Sequence, residues 1–237
     1  EYAVPVIADA AEAMGALYTE TDGASVHAGH DARAAVFSFN GNKIITTSGG
    51  GMLASHDQAL IEHARKLSQQ AREPTPHYEH CEIGYNYRMS NICAGIGRGQ
   101  MYVLEEHIAR RRAINQLYRT LLHDLPGITF HTNPNSDFNS NYWLTCIVID
   151  PQEAGFTREE LRLKMEEENI ETRPLWKPMH LQPVFADCPY YGDNTEGRLF
   201  DNGLCQPSGP TLTDEAIERG VNVIKKCIIK NECKKSA

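Results

Sequence analysis

Lys43 has neighbours that give it a chemical setting. Before it, Val36-Phe37-Ser38-Phe39 is apolar but for Ser38 and leads into small polar residues; after it come Ile44-Ile45-Thr46-Thr47 and then Ser48-Gly49-Gly50-Gly51. β-Branched and aromatic residues favour a pleated surface, and consecutive glycines permit positive φ and close backbone approach. The run therefore predicts a strand, a turn, the lysine, a second strand and a tight turn. A lysine held in such a place is partly buried, and its amine attacks a carbonyl carbon once the proton is lost. An exposed loop lysine is the ordinary alternative.

Other residues offer matching chemistry. Asp9 follows a short apolar run at residues 4–7, which predicts a buried parallel strand with the acid at its carboxyl end, where α/β sheets gather ligands. Helix capping explains an aspartate there equally well. Ser38 is a short hydroxyl donor near a turn, suited to a phosphate oxygen or to the turn itself. Arg88 has the planar fork that grips carboxylates and phosphates. Arg173, Trp176 and His180 place a cation, an aromatic face and a titratable ring in a proline-rich loop at residues 173–183, whose prolines exclude regular structure. His27, His30 and Asp31, like His77, His80 and Cys81, lack a second pair at ligand spacing, so they are read as solvated loops and no metal is expected. The glycines are no P-loop, because no G-K-[ST] follows.

The elements that must position these groups follow from the rest of the chain. Its 237 residues are long enough for a sizeable core, with 41% hydrophobic and 23% charged residues. Lys and Arg number 23 against 31 Asp and Glu, giving a net charge of −8, which disfavours nonspecific nucleic-acid binding. Seven cysteines form no C-x-x-C pair; reduced thiols in the cytoplasm are expected. No apolar run approaches the roughly 20 residues of a membrane helix, and no signal segment opens the chain. The chain begins directly on an interior-like strand, which suggests an internal start.

Apolar spacing predicts a helix over residues 55–71, with Ser55 and Gln58 as a capping box. One long helix or two in series follow over residues 91–124, where Gly95, Gly97 and Gly99 imply close packing. Arg110, Arg111 and Arg112 read as a solvated face paired with Glu105 and Glu106. Beyond Pro126-Gly127 the pattern gives strands at residues 128–131 and 142–149, then a helix at 157–168 with a Thr157/Glu160 capping box. A final helix at 213–230 carries the stripe Ile217, Val221, Ile224 and Ile228. The expected division is a partial large domain with its connecting helix at residues 1–124 and an α+β domain at 125–237, ending in a frayed tail at 233–237.

Three segments, in order, resemble one family. These are Val6-Ile7-Ala8-Asp9-Ala10-Ala11-Glu12-Ala13-Met14-Gly15, then Ser38-Phe39-Asn40-Gly41-Asn42-Lys43-Ile44-Ile45-Thr46-Thr47, then Gly84-Tyr85-Asn86-Tyr87-Arg88-Met89-Ser90. They are similar to the signature segments of the DegT/DnrJ/EryC1/StrS sugar aminotransferases, whose full-length members carry a further N-terminal portion. The resemblance implies the α/β large domain of fold type I pyridoxal-phosphate transferases, partial here and with a mixed, mostly parallel sheet, followed by a small α+β domain. It implies pyridoxal 5'-phosphate as cofactor, held as a Schiff base on Lys43, with Asp9 on the pyridine nitrogen and Ser38 on the phosphate. Glu12 stands near the phenolic oxygen where many relatives carry glutamine, and Ser48-Gly49-Gly50-Gly51 replaces a common Gly-Glu-Gly-Gly. Asn86 would cross a homodimer interface to the partner's cofactor, while Arg88, Arg173 and His180 would border the substrate.

The implied reaction moves an amino group from glutamate to a 4-keto-6-deoxy sugar nucleotide in the cytoplasm. The wording around Lys43 is most like that of enzymes making 4-amino-4,6-dideoxy-N-acetylglucosamine nucleotides. A sugar dehydratase on the same scaffold is disfavoured by Lys43, since relatives of that kind carry histidine there. An inactive fragment or a non-catalytic protein on this scaffold is the remaining alternative.

Overall fold

A computed structural model describes residues 4–235 of the chain, with side chains as far as residue 228. In chain order it forms β1 (Ile7–Asp9), β2 (Leu17–Thr19), β3 (Ser25–His27), β4 (Ala34–Ser38), β5 (Gly51–Ala54), α1 (Gln58–Ser68), α2 (Asn91–Met101) and α3 (Leu104–Leu122). There follow β6 (Ile128–Phe130), β7 (Phe138–Asn139), β8 (Thr145–Ile149), α4 (Pro151–Ala154), α5 (Arg158–Glu167), β9 (Arg173–Pro174), α6 (Thr195–Asn202), β10 (Gly203–Gln206) and α7 (Asp214–Lys235). Where the sequence suggests a frayed tail, α7 runs to Lys235, and residues 236 and 237 lie outside the described residues.

These elements make two compact units, residues 1–109 with 133–143, and residues 110–132 with 144–237. A single cut near residue 125 misses this interleaving. It arises because β7 pairs with β2 in the first unit, a long-range pairing that chain continuity does not reveal.

In the first unit β1 and β4 run parallel and β5 joins β4 antiparallel, in the order β1-β4-β5. A second, antiparallel sheet has the order β3-β2-β7. Ala34, Ala35, Phe37 and Phe39 are buried, whereas Val6 is 63% exposed and Val4, Ile7, Val36 and Met52 are exposed as well. The buried strand expected at residues 4–7 is thus a parallel strand with its apolar side chains open among the described residues. Helix α1 is capped by Asp57, whose side chain accepts from the Leu60 N–H, and Ser55 instead binds the Arg33 carbonyl. Asp57 displaces Ser55 as the cap because a carboxylate meets the N3 donor directly.

The predicted strand after Lys43 does not form. The Thr47 N–H and the Thr46 hydroxyl both reach the Phe39 carbonyl, at 2.9 and 3.2 Å. The segment therefore loops back onto the end of β4, with Ile44 and Ile45 buried beneath it. Of the three helical glycines only Gly97 is crowded, a Cβ there falling 2.8 Å from the Thr47 methyl, while Gly95 and Gly99 face open space.

The second unit is a four-stranded antiparallel sheet, β6-β8-β10-β9, covered by helices. Its core joins Ile114, Tyr118 and Leu122 of α3 to Ile147 and Ile149 of β8, Leu161 and Met165 of α5 and the α7 stripe Ile217, Val221, Ile224 and Ile228. The expected Thr157/Glu160 capping box starts α5. The arginine run is not a uniform solvated face: Arg111 is buried, which pulls its guanidinium down to about 10. Arg110 instead pairs with Asp214 at 2.8 Å.

Candidate active site around Lys43

The parallel register of β1 and β4 sets Asp9 opposite Val36, so Asp9 and Ser38 both stand at carboxyl strand ends. From there the chain turns through Asn40, whose carbonyl accepts the Lys43 N–H at 3.1 Å, and thus projects Lys43 from the loop after β4. From β1 it turns instead toward Glu12. The Lys43 amine and the Glu12 carboxylate form an ion pair, and only 11% of the lysine side chain is exposed. Asp9 accepts from the Ala11 N–H at 3.1 Å, and the Ser38 hydroxyl accepts from the Asn40 N–H at 3.3 Å. The aspartate therefore does shape a turn, and its carboxylate stays exposed at the strand end.

The glycine run serves this loop. Gly50 has φ of +107°, and a Cβ on Gly51 would fall 2.4 Å from the Phe37 carbonyl oxygen, so only glycine lets the return strand lie against β4. That matches a backbone role and not a nucleotide cradle.

Two residues that sequence reading passed over complete the group. The Lys43 amine lies 4.3 Å from the centroid of the Trp143 ring, a cation–π contact. The indole N–H of Trp143 donates to the Asn42 carbonyl at 2.7 Å, fixing the ring beside the lysine loop. The Asn141 amide donates to the Glu12 and Met14 carbonyls at 2.7 and 3.0 Å. Its side-chain oxygen accepts the Trp143 backbone N–H at 2.9 Å. One short segment thus braces both partners of the ion pair. The sequence signal was slight: Trp143 is one of two tryptophans, a hundred residues from Lys43.

Asn86 and Arg88 are gathered elsewhere in this unit, on an exposed loop folded against the end of α1. Asn86 bridges Gln69, and the Arg88 guanidinium donates to the Gln69 side-chain oxygen at 2.6 Å. Both line a cavity of about 790 Å³ with Arg65, Lys66, Arg72 and Glu73. Hydrogen bonds that the Lys66 ammonium donates to Glu73 and Glu82 raise its pKa above the ordinary value. Tyr85 and Tyr87 stack at 5.0 Å on the same loop.

Arg173 and His180 belong to the second unit. Arg173 is exposed on β9 and its Nε donates to Glu171 at 2.7 Å. His180 lies in the turn Met179–Leu181, with Nδ1 3.3 Å from Glu196, Nε2 3.2 Å from Asn194, and its ring stacked on Tyr190 at 4.0 Å. Among the described residues no group of three His, Cys, Asp or Glu side chains could hold a metal ion. His27 accepts the Gly15 N–H at 2.7 Å if its Nε2 is the unprotonated nitrogen, and His77 faces Glu79 at 2.8 Å. No helix among these residues is long and apolar enough to cross a membrane.

Comparison with known proteins sets this geometry in context. The family model described as the DegT/DnrJ/EryC1/StrS aminotransferase family matches residues 1–225. EpsN of Bacillus subtilis, by its name a pyridoxal phosphate-dependent aminotransferase, is 46% identical over 227 residues, covering 94% of this chain and 56% of EpsN. The GDP-perosamine synthase of Vibrio cholerae is 35% identical, with 95% of this chain and 59% of that protein covered. The aminotransferase TlmJ of Streptoalloteichus hindustanus superposes with a TM-score of 0.85 at 24% identity, over 96% of this chain and 59% of TlmJ. The fold is therefore that of fold type I aminotransferases, and the chain spans less than two thirds of the length of these relatives.

Proposed function

Because this chain belongs to the DegT/DnrJ/EryC1/StrS aminotransferase family, we propose that it is the lysine-bearing part of an enzyme that moves an amino group from glutamate to a 4-keto-6-deoxy sugar nucleotide. The observation that carries this reading is the Lys43 amine, nearly enclosed between the Glu12 carboxylate and the Trp143 ring at the carboxyl end of a parallel strand pair.

The donor set fits pyridoxal phosphate. An amine suits its aldehyde, a carboxylate its pyridine nitrogen, and a hydroxyl its phosphate. When bound, the cofactor supplies an electron sink for the carbon that gains or loses the amino group. Lys43 would hold the cofactor's aldehyde through Nζ and, when free, would take and return the substrate proton at that same atom. Glu12 holds the amine before the cofactor arrives, and Trp143 limits the directions in which it can swing. Asp9 would keep a proton on the ring nitrogen, and Ser38 would donate to a phosphate oxygen.

Asn86 and Arg88 serve a site shared between two copies of the chain. Arg173 and His180 contact the sugar nucleotide, with His180 oriented by Glu196. The sugar-nucleotide products named for the relatives support that substrate class, and a cytoplasmic reaction belongs to the same proposal.

The test supplies purified protein with pyridoxal phosphate, glutamate and a panel of UDP- and GDP-linked 4-keto-6-deoxy sugars. The expected result is 2-oxoglutarate and amino sugar in equal amounts. Absence of 2-oxoglutarate with every sugar, from this chain and from one extended to the length of its relatives, contradicts the proposal.

A further inference from the structure

Two thiols face each other in the second unit. Cys146 on β8 and Cys205 on β10 are Cα partners in the antiparallel ladder, and their sulfurs lie 3.7 Å apart. Directly opposed residues in such a ladder have Cα atoms about 4.5 or 5.5 Å apart. That falls within the span of about 4.4–6.8 Å over which a disulfide closes. The backbone is therefore already placed for a bond, and the sulfurs need only turn toward each other to reach about 2.05 Å.

The two cysteines are unequal. Cys146 is half-buried whereas Cys205 is buried, so a small molecule meets Cys146 first and Cys205 is reached through its neighbour. The contact between the thiols holds Cys146 below the usual thiol range, against the opposing effect of burial, while the same contact and burial push Cys205 up. Since the thiolate is the nucleophile, Cys146 attacks and Cys205 resolves.

We propose that Cys146 and Cys205 form a reversible dithiol–disulfide site that reacts with a small-molecule disulfide of the glutathione type. The Cys146 thiolate attacks one sulfur of oxidised glutathione, forming a mixed disulfide and expelling one glutathione thiolate. Cys205 then loses its proton, its sulfur bonds to that of Cys146, and the second glutathione thiolate departs. One small disulfide is reduced to two thiols, two cysteines are oxidised to one disulfide, and the two cysteine protons end on the two glutathiones. The new bond joins positions 59 apart in sequence and ties β8 to β10 in the middle of the sheet. Cys205 is also the ladder partner of Arg173 on β9, so the bond forms one strand away from that arginine.

The test equilibrates the protein with mixtures of reduced and oxidised glutathione, quenches with acid, alkylates with N-ethylmaleimide and maps the digest by mass spectrometry. A peptide linked through Cys146 and Cys205 is expected, growing with the oxidised fraction, with loss of two alkylatable thiols and recovery under dithiothreitol. A rise of roughly several degrees in Tm accompanies it. Cys205→Ser is expected to stop with glutathione on Cys146. Full alkylation of both cysteines at the highest oxidised fraction, or stable glutathione on Cys146 of the unaltered protein with no linked peptide, would overturn the proposal. The exposed Cys81 and Cys188 report whether the oxidant was competent, and mapping the unaltered protein decides the matter even if the variant fails to fold.

Discussion

The second unit closes around its apolar side chains, with Ile147, Ile149, Leu161, Met165, Leu204 and Ile224 fully buried in one cluster. The first unit leaves one set of strand side chains open and spends its burial on the lysine loop, through Phe39, Ile44, Ile45 and Thr47. Self-contained packing secures one unit, while in the other the buried residues hold the Lys43 loop in place. Chemistry-bearing residues concentrate where burial serves geometry more than stability, because loops carry function and a scaffold positions them.

The contrast is sharpest at single side chains. Leu161→Ala in the second unit leaves a cavity in a closed core and is expected to cost about 2–5 kcal/mol in urea unfolding. Val36→Ala on the open strand face of the first unit is expected to stay within about 0.5 kcal/mol. Equal costs at the two sites would break the comparison.

A smaller effect separates two glycines of α2. Gly99→Ala meets nothing within 4 Å and is expected to stabilise the chain by up to about 1 kcal/mol through helix propensity. Gly97→Ala sets its new Cβ 2.8 Å from the Thr47 methyl, so its gain should shrink or reverse and should disturb the lysine loop. Denaturation midpoints of the two variants, measured side by side, decide this; identical gains would refute close packing at Gly97.

The smallest expected effect is a pH dependence at the α1 cap. The Leu60 N–H, aided by Arg33, holds the Asp57 carboxyl below its ordinary 3.8. A depressed folded-state pKa stabilises above the unfolded value and loses that contribution as pH falls through the folded one. Relative to Asp57→Asn, the native chain should hold its stability advantage at neutral pH and lose it below about pH 3.8. An advantage independent of pH across that window would remove the charged cap from the account.

Much of this was legible in the chain itself. The Thr157/Glu160 capping box and the α7 stripe are local patterns, and local patterns survive folding. The strand ends at Asp9 and Ser38 were readable because strands and turns announce themselves through apolar runs and glycine. The strand expected after Lys43 failed because β-branched residues mark burial as readily as pleating, and hydrogen bonds to Phe39 diverted the segment. Trp143 and Asn141 stayed hidden because their contacts with Asn42 and Glu12 span more than a hundred residues. Burial of Arg111 was hidden for a different reason: three consecutive arginines look alike until one turns inward.

The most direct measurement is the position of a covalent cofactor. Protein incubated with pyridoxal phosphate, reduced with borohydride and mapped by mass spectrometry should carry the phosphopyridoxyl mass on Lys43 alone, with the label lost in Lys43→Ala. Label spread over surface lysines, or label undiminished in Lys43→Ala, would contradict the assignment of this amine as the centre of the site.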